Sequence, residues 1–428
     1  MSVTTTPATA TAPRIVARPD HAISRRNIAH GALRVLYRLH RAGFEACLVG
    51  GCVRDLLLSR KPKDFDIVTD AYPERVRRLF RHARIIGRRF RLVHVVYPDG
   101  VIEVSTFRGD PDPGRQRRRP GELLVTSDNT YGTPEEDAFR RDFTVNALFY
   151  RISDFAVADY VGGLRDLDQH ILRTIGDPDV RLPEDPVRMM RACELAGRLD
   201  FRIDRRTEEA IRRHAREIVK ASPARLTEEL LELLACGRSY PAFERMAELG
   251  LLAQLFPQSG PLLLAGRGRG ELSGLLPTLD RWTQEGRQPG DAGLLAVVLA
   301  PVVIEQRSLL ERRHRNPTRR ELQRVIEDAV IGLSERFALS RARSHQLYHL
   351  LETFQRLCEP MPEDDELWRI AMRPSFPEAL ELFELLSEAT GAATEETEAW
   401  RRAAREAAHR PAPAASAASR RRRRRRRR

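Results

Sequence analysis

The sequence after position 45 places a double-glycine turn between a short apolar run and a helix, and then returns to a second apolar run. Ala46–Val49 predicts a buried strand, Gly50 and Gly51 predict a turn that opens a helix, and Phe65–Val68 predicts a second strand. Strands joined through a helix in this way are not typical of an all-helical fold. The pattern therefore predicts a sheet covered by helices, as in α+β domains.

The neighbouring sequence extends the predicted sheet and its helices. Helical spacing runs through Ala32–Arg41, and a further helix is predicted from Pro134 to about Leu148. A Pro-Asp-Gly turn joins Leu92–Tyr97 to Val101–Phe107, which predicts a β-hairpin. The first 150 residues therefore carry both strand and helix signals.

The length of 428 residues exceeds one ordinary core and indicates two or three domains. From Pro183 to about Trp400 one helical pattern follows another. These patterns predict an α+β head with a mixed β-sheet, followed by an all-α neck and body and a disordered basic tail. The predicted boundaries are 1–29 for a disordered extension, 30–155 for the head, 156–220 for the neck, 221–400 for the body and 401–428 for the tail.

Charge and cysteine usage limit the partners and the compartment. The net charge is +13, and nine of these charges form the terminal run Arg420–Arg428, which can hold a polyanion through its phosphates. The five cysteines show no paired spacing, which argues against a zinc site and a disulfide framework and favours a reducing, cytoplasmic location. The longest apolar run, Ala292–Val303, is too short for a membrane span and predicts a buried helix. A monomer is expected.

Two aspartates, Asp64 and Asp66, stand one residue apart at the second strand. Side chains at this spacing on a strand share one face, and their charges repel unless a cation lies between them. The hairpin can bring Glu103 beside the pair. Three carboxylates suit Mg²⁺, and Mn²⁺ accepts the same oxygens. The alternative is an exposed strand, where Asp-x-Asp is common.

The sequence around the aspartates favours a phosphate-handling site over an exposed strand. Backbone N–H groups at a Gly-Gly turn between a strand and a helix can bind phosphate. Arg54 lies on the first turn of that helix, and Lys61 and Lys63 precede Asp64. A Gly-Gly turn, an arginine and then Asp-x-Asp form a specific combination.

Four segments resemble, in order, the motifs of the class II nucleotidyltransferases, which are the CCA-adding enzymes and bacterial poly(A) polymerases of the polymerase-beta superfamily. The segments are LVGGCVRDLLLSRKPKDFDIVT from Leu48, EEDAFRRDFTVNALFY from Glu135, YVGGLRDLDQHILRTIG from Tyr160 and EDPVRMMRA from Glu184. The resemblance covers residues 30 to about 240. It implies a nucleotidyltransferase head and a helical half that holds the RNA 3′ end.

The resemblance implies attack of an RNA 3′-hydroxyl on the α-phosphate of a nucleoside triphosphate, with release of pyrophosphate. Asp64, Asp66 and Glu103 would hold the catalytic Mg²⁺. Asp142 would be a further catalytic acid at the ribose or the metal, and its alternative is a helix-surface ion pair with Arg140 or Arg141. The implied nucleotide-binding residues are Gly50, Gly51, Arg54, Arg141, Asn146, Asp185, Arg188 and Arg191.

The pair Asp185 and Arg188 is implied to select the base by bonding its Watson–Crick edge. The alternative is an ordinary ion pair one helical turn apart. Two positions depart from the family pattern. Cys52 replaces a third Gly or Ala, which predicts a thiol-sensitive site, and Glu194 stands where the family has a base, which predicts altered nucleotide contacts.

The stretch Ile85–Val95 resembles bacterial poly(A) polymerases rather than CCA-adding enzymes, as do the N-terminal residues and the basic tail. The predicted function is therefore polynucleotide adenylyltransferase, with ATP and RNA 3′ ends as substrates and proteins of RNA decay as further partners. The sequence supplies no physical reason why CTP would be excluded. CCA addition to tRNA remains the alternative, and a non-catalytic RNA-binding protein of the same fold is a second one, which Glu194 favours and the acidic trio opposes.

Overall fold

The computed structural model describes residues 12–87, 91–98, 100–109, 130–264, 274–313, 317–392 and 394–409. The chain divides into two compact units, Met1–Ala221 with Glu248–Gln254, and Ser222–Ala247 with Leu255–Arg428. The nine-arginine run and positions 88–90 of the stretch that favours poly(A) addition lie outside the described residues.

The first unit is built on a mixed eight-stranded sheet. Its strands are β1 (Arg14–Val16), β2 (Ala46–Val49), β3 (Asp66–Thr69), β4 (Ala83–Ile86), β5 (Leu92–Tyr97), β6 (Gly100–Thr106), β7 (Leu148–Arg151) and β8 (Val157–Asp159). They lie in the order β1-β8-β7-β2-β3-β6-β5-β4. β3 and β6 are parallel and the other neighbours are antiparallel. A separate two-stranded parallel sheet joins β9 (Ile171–Leu172) to β10 (Arg202–Ile203).

Among the described residues, eight α-helices lie between residues 30 and 214, in the part of the chain that carries these sheets. They are α1 (His30–Arg41), α2 (Gly51–Leu57), α3 (Pro73–Leu79), α4 (Pro134–Arg140), α5 (Gly163–Asp168), α6 (Pro178–Glu184), α7 (Val187–Leu199) and α8 (Arg205–His214). α1 packs on β2, β3 and β6 through the fully buried side chains of Val35, Leu36 and Leu39. The opposite face of the sheet is covered by a cluster that includes Val68 and Phe149.

All regular elements after residue 204 are helical in the part of the chain that the structure describes. They are, after α8, α9 (Pro223–Leu234), α10 (Ser239–Glu248), α11 (Leu251–Leu255), α12 (Ser259–Leu264), α13 (Leu275–Gln284), α14 (Asp291–Arg313), α15 (Arg319–Phe337), α16 (Arg341–Leu357), α17 (Asp364–Ala371), α18 (Phe376–Thr390) and α19 (Thr394–His409). The predicted α+β head followed by a helical half is therefore confirmed.

The apolar run Ala292–Val303 is buried within α14, as predicted. By length and composition alone α14 could cross a membrane, with a mean hydropathy of 1.6 over a window that is 61% buried. One such helix is weak evidence for a membrane span, because the core helix of a helical bundle has the same composition.

Three predictions about local structure are wrong. Residues 12–29 are not a disordered extension, because β1 pairs with β8 and Ile23 is fully buried. The helix predicted from Pro134 ends at Arg140, and Leu148 begins a strand instead. Residues 401–409 belong to α19 rather than to a disordered tail.

Candidate active site

The double-glycine turn brings the backbone against an acidic and a basic side chain. Gly50 has a φ of +79°, in the left-handed region that favours glycine. A Cβ atom at Gly50 would lie 3.7 Å from Asp66 Oδ2 and 3.8 Å from Arg141 Nη1. The turn therefore contacts both side chains closely, and α2 begins directly behind it at Gly51.

Asp66 and Glu103 occupy paired positions on the parallel strands β3 and β6, so their carboxylates point to the same face of the sheet. Asp64 precedes β3 and is exposed, so the expectation that it shares the strand with Asp66 is wrong. Burial and then the charges of Asp64 and Glu103 raise the pKa of Asp66 to about 6, against the opposing effect of Arg141 and Arg191. The three acids are therefore close enough to repel one another.

A divalent cation would relieve this repulsion, and carboxylate oxygens are the donors that Mg²⁺ prefers. Glu103 Oε1 lies 3.0 Å from His94 Nε2, so one of the acids already has a neighbouring partner. Within the described ranges, no three Asp, Glu, His or Cys side chains converge as a ready ligand set. The donor chemistry fits a hard cation, while the complete ligand shell is not assembled.

A cavity of about 180 Å³ is lined by two of these acids, Asp66 and Glu103. Its charged lining residues are Asp66, Glu103, Arg108, Asp137, Arg140 and Arg141. Asp137 is buried and accepts two bonds from Arg141, at 3.0 Å from Nε and 2.7 Å from Nη2. This pairing holds the guanidinium beside Gly50, at a distance where it can bind an anionic ligand of the cavity.

Asp142 lies after the end of α4 and does not pair with Arg140 or Arg141. Its Oδ2 accepts a bond of 2.9 Å from Arg191 Nε, and its Oδ1 accepts one of 3.2 Å from Asn146 Nδ2. Burial alone would raise the pKa of Asp142, but the charge of Arg191 and the bond from Asn146 outweigh it and lower the pKa to about 2. The structure thus brings Asp142, Asn146 and Arg191 into direct contact, although Arg191 lies 49 residues from Asp142 in the sequence.

Arg54 is buried beneath the turn rather than facing solvent. Its side chain donates to Asn146 Oδ1 at 2.5 Å and to Asp55 Oδ1 at 2.8 Å, and only 2% of the residue is exposed. Burial lowers the pKa of Arg54, and the charge of Asp55 opposes this. As placed, Arg54 supports Gly51, since a Cβ atom there would lie 3.3 Å from its Nη2.

Glu194 belongs to the same buried network of charges. Its Oε1 accepts a bond of 2.6 Å from Arg198 Nε, and Arg198 Nη1 lies 3.9 Å from Asp55 Oδ2. Glu194 is absent from the lining of the cavity over Asp66. The acid at this position therefore has a structural partner and does not by itself indicate an inactive site.

Cys52 is also buried, and its thiol lies 3.2 Å from the carbonyl oxygen of Val49. Burial, with the charge of Asp66, raises the pKa of Cys52 to about 12. The thiolate that alkylating reagents attack is therefore scarce, so the expectation of a thiol-sensitive site is not supported by this environment.

Asp185 and Arg188 lie close together, as the sequence predicts, although Asp185 precedes α7 rather than opening it. Arg188 Nε is 3.9 Å from Asp185 Oδ2. Arg188 Nη1 also donates to the carbonyl oxygen of Arg181 at 3.0 Å. Burial and the charge of Arg181 lower the pKa of Arg188 to about 10.

The turn that begins the third motif is held by an aspartate that directly precedes the motif. Asp159 accepts four backbone N–H bonds at 2.9–3.1 Å, from Val161, Gly162, Gly163 and Leu164. A Cβ atom at Gly163 would lie 2.2 Å from the carbonyl oxygen of Thr144, so only glycine fits this contact.

Four partners of the predicted site residues were not identified from the sequence: Asp55, His94, Asp137 and Arg198. The spacing of four residues between Asp137 and Arg141 on a predicted helix was a usable signal. The same spacing of four residues separates Glu194 from Arg198 on α7. Asp55 stands beside Arg54 within the first motif, and His94 lies nine residues before Glu103, so the charges of these two residues look like ordinary surface charges.

Two segments of the chain match known families. Residues 46–173 match the Poly A polymerase head domain, and residues 200–261 match the probable RNA and SrmB-binding site of polymerase A. The first match contains the glycine turn, the three acids and the Asp142 segment.

Relatives of this chain are found in both branches of this class. The chain is 51% identical over 249 residues to Poly(A) polymerase I of Salmonella typhi, covering 57% of this chain and 53% of that one. It is 36% identical over 229 residues to the CCA-adding enzyme of Bacillus velezensis, covering 54% and 56%. The chain thus spans about half the length of the curated relatives it matches.

A similar fold occurs in the CCA-adding enzyme of Bacillus stearothermophilus in complex with CTP. The TM-score is 0.61 at 26% identity, and the match covers 87% of this chain and 81% of that one.

Proposed function

We propose that the chain belongs to the class II family of bacterial poly(A) polymerases and CCA-adding enzymes and that it is a template-independent polynucleotide adenylyltransferase. It would transfer AMP from ATP to the 3′ end of RNA and release pyrophosphate. The observation that carries this proposal is the higher identity to a poly(A) polymerase than to a CCA-adding enzyme over a similar length.

The acidic face of the sheet would supply the reaction centre. Asp64, Asp66 and Glu103 would hold Mg²⁺, or Mn²⁺, which supplies charge neutralisation at the attacking and leaving oxygens. The raised pKa of Asp66 supports this role, because a carboxylate that is costly to ionise alone binds a cation favourably. Glu103 is oriented by its contact with His94.

The basic side of the cavity would bind the nucleotide. Arg141 is fixed by Asp137 and lies beside Gly50, so its guanidinium can bond phosphate oxygens. Asp142 remains ionised at neutral pH, as its pKa of about 2 requires, and would accept a bond from the ribose. Asn146, Arg191 and the buried Arg54 would hold Asp142 and the Gly50–Gly51 turn in place rather than touch the reacting phosphate.

Base selection would fall to Asp185 and Arg188. An acceptor and a donor held 3.9 Å apart can bond neighbouring groups on a base edge. Arg188 is oriented by the carbonyl oxygen of Arg181, which leaves its geometry independent of the ligand.

The test is incubation of the purified chain with a short unstructured RNA, Mg²⁺ and each nucleoside triphosphate separately, with products sized on a gel. We expect a long ladder with ATP alone and none from the variant Asp64→Ala/Asp66→Ala. A matched control, Asp20→Ala/Asp328→Ala, removes two exposed aspartates and should leave the ladder unchanged.

CCA addition is the second candidate, supported by the relatives named above. A tRNA lacking its end, given CTP and ATP together, distinguishes the two activities. Addition of two C and one A would replace the poly(A) proposal. RNA binding without any product would favour the non-catalytic alternative.

We also propose a cytoplasmic location, a monomer, roles in mRNA processing, RNA polyadenylation and transcription, and partners among the proteins of RNA decay. The five cysteines are all free, which is compatible with a reducing compartment.

A further inference from the structure

A groove on the first unit carries a set of basic side chains that the proposed chemistry does not use. It has a volume of about 910 Å³ and is formed by the outer face of α1, the end of α3 and β5. The basic residues that line it are His30, Arg34, Arg38, Arg41, Arg81 and His82. None of its lining residues carries a carboxylate. We call this surface the basic groove.

The four arginines of the basic groove have no counter-ion among the residues that the structure describes. Two of them lie over aromatic rings instead, Arg34 at 5.0 Å from the centre of the Tyr97 ring and Arg38 at 5.8 Å from that of Phe80. Elsewhere in the same unit an arginine such as Arg173 bonds two acids, Asp166 and Asp204. The uncompensated charge of the basic groove therefore favours an anionic partner.

The basic groove lies on the other side of the sheet from the acids. On β5, His94 is paired with Glu103, so it shares the acidic face. Val95 and Tyr97 line the basic groove, and Tyr97 is an odd number of residues from His94, so it faces the opposite side. Tyr97 packs against the start of α1, where a Cβ atom at Gly31 would lie 3.2 Å from its ring. A ligand held there is not the reacting nucleotide.

We propose that the basic groove binds the backbone of single-stranded RNA upstream of the 3′ end that reacts. The identity of the anion as RNA rests on the proposed function. Arg34, Arg38 and Arg41 lie on successive turns of α1, and turns repeat about every 5.4 Å, which gives a row of equal charges suited to a repeating polyanion. Tyr37 adds an aromatic ring to the lining of the basic groove, on which a base can stack. An acidic protein surface, with irregular charge spacing, fits this row less well.

The test compares the variant Arg34→Gln/Arg38→Gln/Arg41→Gln with the full chain in binding to an unstructured RNA of about 30 nucleotides, measured without nucleoside triphosphate at several salt concentrations. Loss of three phosphate contacts should weaken binding on the order of 10–100-fold at 0.1 M salt and reduce the slope of log Kd against log salt by about 2. Turnover of an RNA of about six nucleotides, too short to reach the opposite face of the sheet, should be unchanged.

The matched control Arg14→Gln/Arg18→Gln/Arg165→Gln removes the same charge from exposed positions that do not line the basic groove. Arg14 lies on β1, at the other edge of the sheet. Equal losses of RNA binding in the two triple variants would overturn the proposal, because net charge alone would then explain them.

A lysine variant and two alternative ligands complete the test. Replacing the same three arginines by lysine retains the charge and should preserve most of the affinity, which separates a binding defect from a folding defect. If the triple glutamine variant lost as much turnover with the short RNA as it lost binding to the long RNA, the proposal would be overturned. An equal loss of binding to a polyglutamate peptide would also overturn it, because that result would indicate an acidic protein partner. If the chain adds no nucleotide but the expected binding results are obtained, the proposed function is wrong and the proposal that the basic groove binds RNA is retained.

Discussion

Glu194 offers the sharpest test of the structure, because family resemblance and geometry predict opposite results. The family has a base at this position, so restoring it with Glu194→Arg should improve the enzyme if the acid is a defect. In the structure Glu194 is paired with Arg198 and lies in a network with Asp55 and Arg54. A third cation there would face the buried guanidinium group of Arg54 and the partly exposed one of Arg198, and we expect loss of stability instead.

The magnitude follows from the contact and its burial. The Glu194–Arg198 bond is 2.6 Å long, with side-chain exposures of 10% and 29%. A hydrogen bond to a charged group contributes about 1.5–3 kcal/mol, and the partial exposure of Arg198 favours the lower half of that range. Glu194→Gln should therefore cost about 2 kcal/mol, and Glu194→Arg more because it adds repulsion. For a domain of this size, 2 kcal/mol lowers the melting temperature by about 4–8 °C.

Calorimetry is the assay, because the three tryptophans (Trp282, Trp368 and Trp400) all lie in the second unit and their fluorescence would miss an event in the first. The control is Glu209→Gln, which breaks the exposed pair with Arg205 at the same helical spacing and should change nothing measurable.

The exchange Glu194→Arg/Arg198→Glu reverses the pair and should recover part of the stability that Glu194→Arg loses. If Glu194→Arg instead melts at or above the original temperature and adds nucleotide faster, the reasoning is refuted and the acid is a catalytic defect.

Three further changes test the charges around the site. The pKa of Asp66 is raised from 3.8 to about 6, so the folded state holds its proton more tightly, and the metal-free protein should lose stability as the pH rises from about 4 to 6. Asp66→Asn should remove that loss and gain up to about 3 kcal/mol at pH 8 in the presence of a chelator, measured by calorimetry. The pKa of Asp142 is lowered from 3.8 to about 2, so its contribution to the free energy of unfolding is complete above about pH 4 and is lost as the pH falls toward 2. In the variant Asp142→Asn, the free energy of unfolding should therefore depend less on pH over that range. Asp159→Ala removes the acceptor of four N–H bonds and should cost about 2–4 kcal/mol in denaturant unfolding, with Asp159→Asn costing less.

The elements with strong local signals were predictable from the sequence. Ala46–Val49 is buried along its whole length and flanked by a glycine turn, so its bounds were predicted to the residue. The hairpin of β5 and β6 was predicted from its proline–glycine turn. In contrast, the segment after Arg140 has helical spacing but forms a 3₁₀ turn and β7, since pairing with β2 outweighs local propensity.

The candidate site was predictable in its residues and much less so in its contacts. Asp66 and Glu103 were expected to lie together through the hairpin, but the parallel pairing of β3 with β6 that places them side by side depends on a contact between distant segments. Arg54 was expected at the phosphate because it follows the turn. Whether such an arginine faces the ligand or the interior depends on a buried acceptor, here Asn146, which lies 92 residues away in the sequence.

The arginines of the first unit are of two kinds, those bonded to acids of the protein and those without such a partner among the described residues. Arg54 and Arg198 are bonded to acids of the protein, so they fix the positions of strands and helices and should contribute little to the salt dependence of RNA binding. For Arg54, which is buried, removing the partner would also leave an unpaired charge inside the protein. Arg34 and Arg38 carry exposed charges that have no counter-ion among the described residues. Their free energy therefore changes most when a polyanion binds and releases its own counter-ions. The abundance of arginine in this chain therefore has two physical origins, and pairing, rather than position in a motif, separates the arginines that hold the fold from those available to RNA.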